Sequence, residues 1–278
     1  MPILKIRSLL VRHLGCLGIG LTAAGAVVSC ATSPMGRSQI MLMPDSQMNT
    51  MGAQAFAETK AKTPIETDPA MNQYVNCVVR PLTAAAKDQM GAVNWEIVVF
   101  RDPEANAFAL PGGKVGVQTG ILKVATSDAQ LAAVVGHEIG HVIARHGNER
   151  VSESLGVEGV TALAGGVLGD GASKSAVMAA LGIGGKFGSL AFSRTQESEA
   201  DLIGEDLMAR AGFDPRESIQ LWHNMMAQSQ GEPPQILSDH PASANRIQNL
   251  QDHLAAAVVK YDQARAHGLQ PHCERPKM

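Results

Sequence analysis

The chain has 278 residues, 45% of them hydrophobic but only 4% aromatic, and a formal net charge of −3 at pH 7. That length suits one domain with at most a small accessory piece. A mildly acidic chain without basic clusters argues against nucleic acid as a partner, and small apolar residues in place of aromatic ones point to closely packed helices.

Residues 1–29 stand apart from any fold. Lys5, Arg7 and Arg12 precede an apolar run over 14–28 that is too short for a permanent membrane span and ends in small residues. This is the pattern of a secretory signal peptide. Val27-Val28-Ser29-Cys30 resembles the lipobox of bacterial lipoproteins, which implies a diacylated Cys30 as the new N-terminus and a chain held at a membrane surface. Ala31, next in line, is similar to the sorting residue of Gram-negative lipoproteins destined for the outer membrane, facing the periplasm. Residues 30–46 carry Ser, Pro, Gly and Met without periodicity and are expected to form a tether, with 47–278 as the folded domain. Cys77 and Cys273 are then left to pair in an oxidising compartment or to remain as two thiols.

Helices are expected over 47–60 and 69–87, the second opened by Asp68 as N-cap and Pro69 in the first turn. Alternating β-branched residues over 95–100 predict a strand, and 107–110 and 115–119 predict two more around Pro111-Gly112-Gly113. From Ser127 the pattern turns helical, with Gln130 at capping-box spacing and apolar residues recurring through Ile143. Residues 155–190 are rich in Gly and Ala and read as two short, loosely packed helices covering a site. Further helices are expected over 197–211, ending at Gly212, over 215–230, and from just after His240-Pro241 to about 266, with Gly231, Pro233 and Pro234 in a loop between. The fold class expected is α+β, predominantly helical.

The helix from Ser127 contains His137-Glu138-Ile139-Gly140-His141. Residues four apart share a helix face, so His137 and His141 can meet one ion with Glu138 beside them. Zinc in such sites takes three protein ligands and keeps a position for water, whose pKa it lowers towards neutrality while Glu138 takes the proton. A chain of this length shows the three fixed letters by chance about once in a hundred, so the apolar Val134, Val135, Ile139 and Val142, which are expected to bury the helix, matter to the reading. Glu197 is the best third ligand, and Asp201, one turn on, can accept a hydrogen bond from a liganding His. Alone, the 197–201 stretch is equally an ordinary acidic helix face. His146 and Arg145 read as packing or loop-anchoring residues.

Together these segments resemble the gluzincin zinc metallopeptidases of the HtpX, BepA and LoiP type, a family that includes the CAAX prenyl proteases. Asn106-Ala107-Phe108-Ala109-Leu110-Pro111-Gly112-Gly113 is similar to the family's strand and turn beside the cleft, and His240-Pro241 with Arg246 is similar to its C-terminal motif. The resemblance spans about residues 50 to 260 and is nearest to compact, lipid-anchored LoiP-like members. It implies a zincin-like fold with a small sheet edge along the cleft, one Zn2+ per chain held by His137, His141 and Glu197, Glu138 as catalytic base, and Asp201 behind a ligand. It implies that Asn106, Ala107, Phe108 and Ala109 pair with an extended substrate. His240 is either an inhibitory fourth ligand or a proton donor. Arg246 either supports Asp201 or stabilises the oxyanion. The implied activity is endopeptidase action on misfolded or misassembled envelope proteins, with the outer-membrane assembly machinery as a possible partner. A chaperone-like assembly factor with secondary or latent proteolysis is the alternative.

Overall fold

Side-chain caps set the helix starts closest to the motifs. The Asp68 carboxylate accepts from Ala70 N ahead of α2 (Pro69–Ala85), and Ser127 Oγ accepts from Gln130 N ahead of α4 (Asp128–Ile143). Gln130 reaches back to Thr126 N at 2.7 Å, one residue short of a reciprocal box. Ser193 and Gln196 do close such a box at the start of α6 (Arg194–Arg210), satisfying two N–H groups that the helix itself cannot. A computed structural model describes residues 29–164, 192–228, 236–237, 240 and 244–277. Its other elements are β1 (Ser29–Thr32), β2 (Ser38–Met41), α1 (Asp45–Lys62), α3 (Lys87–Met90), β3 (Glu96–Phe100), β4 (Ala107–Leu110), β5 (Lys114–Gln118), α5 (His146–Ala164), α7 (Arg216–Gln228) and α8 (Ala244–Ala266). The expected mostly helical fold with a small sheet is thus observed. The covering helices expected over 155–190 fall largely outside the described residues, where only 155–164 continue α5, and the loop of Gly231, Pro233 and Pro234 lies outside them too.

The three-stranded sheet has the order β3-β5-β4, with β3 parallel and β4 antiparallel to β5. β4 is therefore an edge. Phe108 faces Gly116 across the ladder, and its ring lies where a Cβ at position 116 would come within 2.2 Å. The ring packs edge-on against Phe56 of α1 and stacks on Phe100, forming a small core on that face. The main core lies on the other side, between the sheet, α2, α4 and α7.

α4 is the centre of the molecule, and its residues are almost all buried, Leu131, Val134, Val135 and Ile139 among them. A helix covered on every side is a rigid platform. Against α6 it lies unusually close. A Cβ added at Gly136 would sit 2.9 Å from Gly204 O, one at Gly140 2.7 Å from Ala200 O, and one at Gly204 2.6 Å from His137 N. Small residues four apart on both helices therefore set the spacing between the two motif-bearing elements.

One segment departs from expectation. The stretch read as a tether forms an antiparallel hairpin, β1 with β2, turning at Gly36 (φ 84°). Hydrophobic alternation did not reveal it because the pattern is inverted. Ile40 is 49% exposed, while Gln39 is 3% exposed and donates to Ala144 O, at the end of α4, and to Glu149.

Cys77 of α2 and Cys273 near the C-terminus are joined in a disulfide across 196 positions of sequence, their Cα atoms 5.6 Å apart. Closing so long a loop restricts the unfolded chain, so Cys77→Ser is expected to cost about 2–5 kcal/mol. Urea unfolding under oxidising and reducing conditions checks this; equal midpoints would contradict it.

Candidate metal centre

The α4–α6 contact brings residues some sixty positions apart in sequence to one buried point. His137, His141, Glu197 and His240 each offer a ligand atom, and these atoms lie within 4.8 Å of one another. All four side chains are buried. The ring nitrogens His137 Nε2 and His141 Nε2 are 3.0 Å apart. Two nitrogens bound to one tetrahedral zinc at its usual bond lengths stand about 3.3 Å apart, so the pair fits a shared ion. Glu197 presents Oε2 3.5 Å from His137 Nε2 and Oε1 3.6 Å from His141 Nε2. Two imidazoles and a carboxylate converging at a buried point are the donors zinc takes at catalytic sites.

His240 adds a fourth donor. Its Nδ1 lies 3.2 Å from His137 Nε2 and 2.9 Å from Glu197 Oε1, while its Nε2 is 3.4 Å from Glu138 Oε1. It thus stands between the ligand cluster and the carboxylate expected to act as base. Phe192 stacks on His141, ring centroids 3.9 Å apart, and the Arg150 guanidinium lies over the Phe192 ring, 4.0 Å from its centroid.

Behind the ligands, Asp201 Oδ1 accepts from His137 Nδ1 at 2.9 Å, which leaves Nε2 turned to the centre. Arg246 grips Asp201 with two bonds of 2.6 and 2.7 Å and reaches Glu197 Oε2 at 2.7 Å. Its guanidinium stacks on Trp222 at 4.0 Å. Arg246 thus contacts both carboxylates at once.

The charges are set by the same contacts. Burial opposes a charge on Glu197, but the neighbouring His240 and His137 outweigh it and hold the carboxyl well below its usual range. Burial opposes the Asp201 charge as well, and Arg246 overcomes it. The third acid on this face of α6 behaves differently. Burial lifts Glu205 to about 8, so it is mostly neutral at pH 7 and accepts from Ser218 Oγ at 3.1 Å. Burial also works against a proton on His137, yet its bonds to Asp201 and Glu197 lift it to about 9, whereas burial and the charge of His137 hold His141 well below its ordinary value.

A raised His137 value means that its proton stabilises the ion-free fold fully below pH 6.5, the ordinary value, and that this support is lost as pH rises through about 9. Zinc has to displace that proton. Zinc uptake near pH 7.5 is therefore expected to release about one proton, with apparent affinity rising about tenfold per pH unit up to pH 9. Calorimetry in two buffers of different ionisation enthalpy measures the count; a value near zero would contradict the assignment.

Of the expected substrate strand, Ala109 reaches the cleft. Ala109 and His141 line one cleft of about 420 Å3, with Met48, Met90, Val93 and Phe192. Asn106 precedes β4 and holds Ala107 N with its own Oδ1. Ala107 is buried, and Phe108 is committed to the small core, so β4 offers backbone rather than side chains. The sequence reading missed the small-residue seam, although Gly136/Gly140 and Ala200/Gly204 share the four-residue spacing that would have shown it. His146, read as a packing or loop-anchoring residue, is fully buried against His141.

Comparison with known proteins agrees with the geometry. The sequence pattern of Peptidase family M48 matches residues 69–254. The chain is similar to Metalloprotease LoiP of Escherichia coli, 31% identical over 271 residues that cover 92% of this chain and 100% of that protein. It is 38% identical over 189 residues to Mitochondrial metalloendopeptidase OMA1 of Schizosaccharomyces pombe, and 30% identical over 250 residues to Beta-barrel assembly-enhancing protease of Escherichia coli. The matches cover 67% and 87% of this chain but only 54% and 51% of those two proteins, so the chain spans about half their length. The chain belongs to Peptidase family M48: it is a metalloendopeptidase in which His137, His141, Glu197 and His240 form a buried cluster suited to one zinc ion.

Proposed function

We propose that the chain hydrolyses internal peptide bonds of misfolded or misassembled envelope proteins, working from a lipid anchor at Cys30 on the periplasmic face of an outer membrane. The observation that supports hydrolysis most directly is the convergence of His137, His141 and Glu197 with Glu138 at their side. Zinc in such a set supplies Lewis acidity that polarises a carbonyl and brings the pKa of water to about 7. His137, His141 and Glu197 hold the ion, Asp201 fixes the His137 ring, and Arg246 secures Asp201 and Glu197. Glu138 takes the proton from the attacking water and delivers it to the leaving amine. An extended substrate adds along β4 through backbone hydrogen bonds, which selects unfolded segments over folded ones.

The envelope reading rests on the leader-like 1–29, the lipobox-like stretch before Cys30 and the full-length similarity to LoiP. One relative's name ties that protein to β-barrel assembly; for this chain, the outer-membrane assembly machinery is the corresponding candidate partner. No helix among the described residues is long and apolar enough to cross a membrane. The test is digestion of casein or an unfolded porin by the chain from residue 30 onward. Cleavage should stop with chelator and return with zinc; cleavage indifferent to both would sink the proposal.

His240 sits where it can fill the remaining metal position and cover Glu138. His240→Ala is accordingly expected to raise basal casein cleavage several-fold with zinc retained. Unchanged or lower activity at full zinc content would identify His240 as a proton donor or transition-state partner instead.

A further inference from the structure

His137 and His141 are supported in unlike ways. His137 leans directly on a carboxylate, Asp201. His141 Nδ1 instead meets a third imidazole, His146 Nδ1, at 2.9 Å. His146 is wholly buried, and its Nε2 lies 3.2 Å from Glu199 Oε2. Glu199 in turn receives Arg37 Nε at 3.3 Å and Met35 N at 3.3 Å, both from the N-terminal hairpin. Arg37 is fixed from its other side by Glu149, at 2.6 Å from Nη2. An unbroken chain of contacts therefore runs from the hairpin to a residue of the metal cluster.

The direction of the bonds follows from the ends. Glu199 as a carboxylate only accepts, so His146 Nε2 donates to it. His146 Nδ1 then carries the lone pair and accepts from His141 Nδ1–H. His141 is thereby left with its Nε2 lone pair facing His137 and Glu197, the tautomer a metal ligand needs. The backbone is shaped for this contact. Arg145, between α4 and α5, is the only non-glycine with positive φ (59°) among the described residues. That left-handed step turns the chain back at the end of α4 and sets His146 against His141, five residues earlier.

We propose that Arg37, Glu199 and His146 are positioning residues that fix the tautomer and orientation of His141, so that the N-terminal hairpin is a working part of the metal centre. The inference rests on zinc binding at the cluster. Oriented partners behind a ligand typically change metal affinity by 10–100-fold.

Zinc affinity is measured by competition with a chromophoric chelator on the chain from residue 30 onward, with the visible spectrum of the cobalt-substituted protein and the melting temperature of the metal-free form alongside. Glu199→Gln keeps shape but loses charge and permits the wrong tautomer, and it is expected to weaken zinc about 10-fold or more. His146→Phe, which keeps a ring without nitrogens, should do at least as much. Arg37→Ala should weaken zinc by several-fold, with Arg37→Lys restoring part of it. All should shift the cobalt bands, and KM for casein should stay near wild type. If His146→Phe does not fold, the isosteric Glu199→Gln carries the test. Variants that hold zinc within about twofold of wild type, with unshifted bands, would overturn the relay and leave the zinc site standing. A wild-type chain that binds no stoichiometric zinc would remove both.

Discussion

Glu138→Gln is expected to lower peptide-bond hydrolysis by about 100- to 10,000-fold while zinc stays at one equivalent per chain. Glutamine has the shape of glutamate and can occupy the same buried place on α4, but it cannot accept a proton from the attacking water. The neighbouring donors of the cluster, His137, His141 and Glu197, are untouched, so metal content and melting temperature should remain near wild type. Single-turnover cleavage of casein beside zinc analysis makes the measurement. A variant that cleaves within about threefold of wild type would remove Glu138 from the role of base. The same variant separates the peptidase from the assembly-factor alternative. If uncleaving protein still restores envelope integrity in cells, binding along β4 outweighs catalysis as the physiological activity.

Gly204→Ala should disturb the site without touching a ligand. Two effects oppose one another. In a helix interior, alanine is favoured over glycine by about 1 kcal/mol, which would stabilise α6. The new methyl would stand 2.6 Å from His137 N and 2.8 Å from Gly136 C, both backbone atoms of α4 that cannot swing aside. Overpacking of this kind typically costs about 1–3 kcal/mol, so the clash should win. The expected net result is a destabilised chain with weaker zinc binding, because relief requires α4 and α6 to separate and that moves His137 and His141 away from Glu197. Urea unfolding of the metal-free chain and chelator competition read the two consequences. A stabilised variant with unchanged zinc affinity would mean that the close approach does not hold the motifs together.

Much of the site was legible because its parts are local. A helix period of 3.6 residues puts His137 above His141 whatever the surroundings, and the same period puts Glu197 above Asp201. Asp68 with Pro69, and Ser127, mark helix starts by chemistry that acts within one turn. Gly212 ends α6 with a positive φ that glycine alone adopts without cost. The hairpin over 29–41 was not legible. Its buried face carries Gln39, whose partners Ala144 and Glu149 lie more than a hundred positions away, and no local pattern signals a polar residue whose bonding is entirely non-local. His146 was read as an anchor for a similar reason. Its value depends on Glu199 and Arg37, which nothing in its own neighbourhood identifies.

By itself, then, the order of residues determined the periodicities, caps and donor types, and with them a zinc-binding helix and an acidic partner helix. It left open which faces would meet and how near. That was decided by the tertiary packing of Gly136 and Gly140 against Ala200 and Gly204, which brings backbone to backbone where any larger side chain would hold the helices apart. Whether imidazole and carboxylate share an ion is a matter of a few tenths of an ångström, and distances that small are set by contact between elements distant in the chain.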